Sequence, residues 1–111
     1  MLNKKYRINK KYDYDYIFKN GKRVSGKYII VFIKTNELQH SRFGIVCSKK
    51  VGNAVIRNRS KRLMRAILHH NMDVFVKNYN MVIVCRVSIK DAQYKQVEDD
   101  FLSVVRRARI L

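Results

Sequence analysis

The chain has no proline, no tryptophan and no long apolar run, and it has few glycines, cysteines and acids. Each scarcity excludes something. With no proline, low-complexity tract or internal repeat, nothing marks a linker, so residues 1–111 are expected to form one domain, large enough to bury a core unaided. The two cysteines, Cys47 and Cys85, each end an apolar run (Phe43-Gly44-Ile45-Val46-Cys47 and Met81-Val82-Ile83-Val84-Cys85). A disulfide scaffold or a zinc site needs more ligands at closer spacing, so both read as reduced core residues. The longest apolar run, residues 28–33, is too short to span a bilayer. Residues 1–11 are polar and basic rather than a signal peptide, and neither end carries a lipidation pattern. A cytoplasmic protein with no membrane role and no obligate protein partner is expected.

The scarcity of acid says most about partners. Eight Asp+Glu stand against 25 Lys+Arg, a formal net charge of +17. Self-repulsion on that scale in so small a chain argues for an anionic partner. With 47% hydrophobic residues the chain is not a disordered basic tail, so the charge sits on a folded body.

Catalytic constellations are also missing. His40 lies in a polar turn, and the adjacent His69 and His70 diverge by about 100° on a helix. Glu98, Asp99 and Asp100 diverge likewise and read as a solvated acidic patch. There is no metal-ligand spacing, nucleotide-cradling glycine loop or nucleophile elbow. Catalytic residues in the protein: none; metal ligands: none.

The elements follow from periodicity. Residues 10–20 read as a helix capped by Asn9 and terminated by Gly21. On it Tyr14, Ile17 and Phe18 share one face, Tyr12 and Tyr16 the other. A short strand around 22–26 is left open and is not counted in the order below. Residues 28–34 and 42–48 read as two strands paired as an antiparallel hairpin across the polar turn 36–41. A basic helix over 54–71, a strand over 80–87 and a helix over 92–109 complete an α-β-β-α-β-α order. That order indicates an α+β fold, three helices packed against one small sheet.

The basic stretch from Lys49 to Arg65 carries seven Lys/Arg and no acid. On a helical wheel Arg57, Asn58, Lys61, Arg62, Arg65 and His69 fall in one sector. Ile56, Leu63, Ala66 and Ile67 lie opposite, with Met64 at the margin. Such a helix packs its apolar side on a core and offers a basic stripe to phosphates. Guanidinium forks bind phosphate bidentately and lysines act as point charges. The candidate phosphate contacts, which the resemblance given below makes RNA contacts, are Lys49, Lys50, Asn53, Arg57, Asn58, Arg59, Lys61, Arg62 and Arg65. Arg59 borders the apolar face, so internal packing is as open to it as RNA contact. Tyr14 and Phe18, with Phe32 from the first long strand, form a second candidate surface. Composition alone favours a core role for these rings over base stacking.

The run Lys-Lys-x-Gly-Asn-Ala-Val-x-Arg-Asn-Arg-x-Lys-Arg-x-x-Arg at residues 49–65 resembles the signature of the bacterial ribonuclease P protein subunit. Arg7-Ile8-Asn9-Lys10-Lys11-Tyr12-Asp13-Tyr14 with Ile17-Phe18-Lys19-Asn20-Gly21 is similar to that family's opening, Tyr14 standing where Phe is usual. Phe43 to Lys50 resembles its strand into the basic loop. The resemblance spans residues 7–107. It implies a small mixed sheet with three helices, like the second domain of ribosomal protein S5, with a left-handed βαβ crossover. It also implies a catalytic RNA subunit as partner, and Mg²⁺ bound mainly by that RNA rather than tightly by the protein. The substrate it implies is precursor tRNA, whose 5′ leader lies in a cleft at Tyr14, Phe18 and Phe32. On this reading the protein is an accessory subunit assisting removal of the leader. A ribosomal or other nucleic-acid-binding module is the alternative, and a protein-only nuclease using His69 or His70 a more distant one.

Overall fold

The structure, a computed structural model, describes residues 3–75 and 77–110. Three helices, α1 (Lys11–Asn20), α2 (Ala54–His70) and α3 (Tyr94–Arg107), accompany four strands: β1 (Lys22–Ser25), β2 (Ile29–Thr35), β3 (Arg42–Val46) and β4 (Tyr79–Cys85). The strands form one mixed sheet in the order β1-β2-β4-β3. β1–β2 and β2–β4 are antiparallel and β3–β4 is parallel. The α+β class is the one expected from the sequence, and the element order is the expected α-β-β-α-β-α with the short strand β1 added after α1.

The expected β2–β3 hairpin does not form. The two strands run in opposite directions, but β4 lies between them and pairs with both. The reason is in β4 itself. Met81, Ile83 and Cys85 are buried on one face and Val82 on the other, and a strand apolar on both sides is best placed in the centre of a sheet. The 36–41 connection crosses the start of β4 and holds it with polar groups. The Asn36 amide donates to the Asn78 carbonyl at 3.1 Å, and the Tyr79 amide to Ser41 Oγ at 3.0 Å. With β4 central, α2 becomes the crossover between the parallel strands β3 and β4.

Helix ends differ in detail from the sequence reading. Lys10, not Asn9, is the N-cap of α1 and makes no side-chain capping bond. Gly21 ends α1 without a left-handed turn, at φ −78°. A Cβ there would sit 2.6 Å from the Ile17 carbonyl oxygen and 3.1 Å from that of Ile33. Glycine is needed at that point for close approach. α3 starts at Tyr94, after a 3-10 turn at Val87–Asp91, in a capping box between Gln93 and Gln96.

The two faces of the sheet are treated differently. On one, α2 and α3 bury Ile29, Val31, Ile83, Met64, Phe101 and their neighbours in the main core. Cys47 and Cys85 are free thiols buried there. Burial, with Cys47 beside it, pushes the Cys85 thiol up to about 12, although Lys61 pulls the other way. On the opposite face lies a smaller cluster around Ile8, Ile17 and Val82.

Candidate nucleic-acid interface

α2 begins where Asn53 Oδ1 accepts the Ile56 amide at 3.0 Å, so one sequence-predicted contact residue also caps the helix. The helix is rotated from its expected setting. Ser60, Met64, Ile67 and Leu68 are its buried residues, while Ala66 is exposed. Met64, expected at the margin, is 0% exposed. The longer Met64 and Leu68 side chains reach the core, whereas an alanine methyl contributes little area there.

This rotation decides what each basic residue presents. Asn58, Lys61, Arg62 and Arg65 line one shallow concavity with Val55. Lys49 and Lys50 are exposed in the turn that precedes the helix. Arg57 leans inward, and its Nε is buried without a hydrogen-bond partner. Arg59 donates to two main-chain carbonyls, Ala92 at 2.7 Å and Lys90 at 3.3 Å, tying α2 to the turn before α3. The ion pairs among the described residues are Lys11–Asp15, Arg42–Asp13 and Lys95–Asp99. None of them engages α2, so no carboxylate among the described residues compensates its positive stripe.

The second surface is built by α1 lying across the sheet. Gly44, Val82, Phe32 and Arg23 are register neighbours on β3, β4, β2 and β1. The Tyr14 ring packs on Gly44, where a Cβ would come within 2.5–2.7 Å of it. The Tyr14 hydroxyl donates to the Ile8 carbonyl at 3.1 Å, and burial raises the pKa of the phenol. Ile17 is buried against Val82. Phe18 meets Phe32 edge-to-face, with ring centroids 4.9 Å apart, yet Phe18 remains 40% exposed. The next row, Val46, Val84 and Ile30, is in register and only half-buried. α1 therefore forms an aromatic wall above an apolar strip of sheet. The strip has no signal in any one segment, because it exists only once the strand order is known.

The two surfaces meet. Arg65 of α2 lines the same depression as Tyr14, Gly44, Ile45, Ile8 and Arg7. Arg7, not among the predicted contacts, is brought there because residue 7 bridges to Phe43 and the Ile8 amide donates to the Phe43 carbonyl at 2.8 Å. Its sequence signal was the basic opening segment.

The histidines and acids are dispersed. His40 stands edge-on to Tyr6 at 5.3 Å, and His69 and His70 are exposed at the end of α2. The three consecutive acids, expected as a solvated patch, divide their roles. Asp100 accepts the Lys27 and Tyr28 amides at 2.9 and 2.8 Å, Asp99 pairs with Lys95, and Glu98 accepts from Asn71 and Tyr94. Among the described residues no three His, Cys, Asp or Glu side chains converge as a metal site. No described helix is long and apolar enough to cross a membrane.

Residues 2–109 match the family model described as Ribonuclease P. The chain belongs to the ribonuclease P protein family. It is 37% identical over 108 residues to the ribonuclease P protein component of Syntrophomonas wolfei, covering 97% of this chain and 91% of that one. It is 38% identical over 104 residues to that of Clostridioides difficile, covering 93% and 91%. Among solved structures, a Staphylococcus aureus ribonuclease P protein mutant with defective mRNA degradation activity superposes with a TM-score of 0.90 at 31% identity, covering 97% of this chain and 92% of that one. The Thermotoga maritima ribonuclease P protein gives 0.83 at 30%, covering 91% and 96%. This is a family of RNA-binding, tRNA-processing proteins, and the small mixed sheet with three helices is its fold.

Proposed function

We propose that this chain is the protein subunit of a cytoplasmic ribonuclease P holoenzyme in which a separate RNA carries the active site. The loop at Lys49 and Lys50 and the exposed bases of α2 neutralise phosphates of that RNA. The cleft between α1 and the half-open sheet face takes the unpaired 5′ leader of precursor tRNA. The observation that carries this reading is the contact of the two surfaces. Arg65 of the uncompensated basic helix and Tyr14 of the aromatic wall line one depression, so one RNA bound on α2 and another in the cleft are held side by side.

The chemistry available to such a subunit is positioning and electrostatics. Guanidinium and ammonium groups remove repulsion between two polyanions, and rings hold unpaired bases by their faces. Fixing the leader relative to the RNA subunit converts an encounter into an oriented complex. Mg²⁺, held mainly by the RNA, supplies the electrophilic part of the hydrolysis. The protein contributes no acid, base or nucleophile.

The test is reconstitution. Precursor tRNA is incubated at low Mg²⁺ with the protein, with a bacterial ribonuclease P RNA, and with both. Cleavage at the 5′ end of the mature tRNA is expected only in the combined reaction. Cleavage by the protein alone, lost in a His69→Ala, His70→Ala double variant, would overturn the assignment. Selective recovery of ribosomal RNA with the protein would favour a ribosomal module.

A further inference from the structure

The side of α1 facing away from the sheet is also aromatic. Tyr12 is 74% and Tyr16 47% exposed, at helix positions where solvent ordinarily meets charged side chains. They stand one turn apart, about 6 Å along the axis, and with Asp15, Lys19 and Asn20 line a shallow depression. An exposed aromatic pair is the informative exception on a helix whose apolar requirement is already met by Ile17. Charge at this face is net positive. Asp15 is taken up by Lys11 at 2.6 Å and Asp13 by Arg42 at 3.6 Å. Lys19 has no carboxylate partner among the described residues. At about 100° per residue, the Lys11–Asp15 pair and Lys19 lie between Phe18 at the cleft and the two tyrosines, Lys19 next to the tyrosines.

We propose that Tyr12, Tyr16 and Lys19 form a second stacking site for single-stranded RNA. It takes leader nucleotides that run out of the cleft, past Phe18 and over the outside of α1. The proposal rests on the cleft holding the leader, as argued above, and extends the leader's path. Unpaired bases stack on the two rings, which tolerate any base because every base has a π-face, and Lys19 meets the backbone between them and the cleft. A second copy of the protein is a poorer occupant, since two bodies of charge +17 repel.

The experiment measures the affinity of the holoenzyme for precursor tRNAs whose leaders are extended one nucleotide at a time. The wild-type protein is expected to gain affinity in a second step once the leader outgrows the cleft. The Tyr12→Ala, Tyr16→Ala variant should lose that step, roughly tenfold per base no longer stacked, and match wild type on short leaders. Tyr12→Phe, Tyr16→Phe should keep it, because the ring and not the hydroxyl makes the contact. Equal affinity of the alanine variant at every leader length, or an equal loss at every length, overturns the proposal. So does a wild-type dimer in sedimentation that the alanine variant dissolves. Phe18→Ala on short leaders separates the two ideas. If it has no effect there, the cleft reading fails; if it has its effect while the tyrosine variant has none at any length, only the outer site fails.

Discussion

The two faces of the sheet are made from the same four strands and have opposite finishes. Beneath α2 and α3 the side chains from alternate strand positions are closed off, and Phe101, Met64, Ile67 and Ile83 are 0% exposed. Beneath α1 the cover is one short helix, which seals Ile17 over Val82 and leaves Phe18, Phe32, Val84 and Ile30 partly open. A protein this small must concentrate its stability, since a single core has to offset the entropy of the whole chain. The closed face does so. The open face retains apolar surface that water covers poorly, flanked by cations, which suits it to bases and phosphates.

The strongest way to break this contrast is to remove one phenyl ring from each side. Phe101→Ala deletes a fully buried ring and should cost ~3–5 kcal/mol of stability, read as a lower midpoint in urea, with RNA assembly failing as the fold is lost. Phe18→Ala, on the open side, loses its edge-to-face contact with Phe32, worth ~0.5–1.5 kcal/mol beyond burial. It should lower the unfolding midpoint far less than Phe101→Ala and weaken precursor tRNA binding by ~1–3 kcal/mol, with mature tRNA scarcely affected. If Phe18→Ala unfolds the protein as Phe101→Ala does, or weakens both tRNAs equally, the open face is simply a second core.

The two faces are also unequally legible in the sequence. α2 was legible as a helix because its charged and apolar residues sort to opposite sides at helical spacing, and its ends fall within a residue of expectation. Its rotation was not legible. Ala66 and Met64 score alike as apolar, and only the depth of the core beneath them decides which is used. Strand order was hidden for a related reason. β2 and β3 are adjacent in sequence and both apolar, and β4 displaces their pairing through contacts some forty residues away. The strip of Ile30, Val84 and Val46 was hidden with it. Tyr14 and Phe18 were visible as a pair on α1, but the Gly44 on which Tyr14 packs comes from a strand whose facing direction local sequence does not reveal.

Arg59 and Arg62 carry the same contrast down to a single helix, where the effects are smallest. They are three residues apart, equally charged and within one motif; the helical wheel sets Arg62 in the basic sector and Arg59 at the apolar border, where sequence left packing and RNA contact equally open. Arg62 is exposed and lines the basic concavity. Arg59 has its guanidinium on the Ala92 and Lys90 carbonyls. Each phosphate neutralised releases counterions, so Arg62→Ala should flatten the salt dependence of RNA-subunit binding by a slope of about 1. Its stability should stay within about 0.5 kcal/mol of wild type, as for other surface changes. Arg59→Ala should do the reverse. Hydrogen bonds from a charged group are worth ~1.5–3 kcal/mol where well buried. Arg59 is only partly buried, so a loss of about 1 kcal/mol of stability is expected, with the salt slope unchanged. Parallel salt titrations and denaturant melts of the two variants distinguish the roles. A slope that falls by about 1 in Arg59→Ala would mean that this guanidinium leaves its carbonyls for phosphate when RNA binds. The turn before α3 would then be released on assembly, and the closed face would be less independent of RNA than its packing implies.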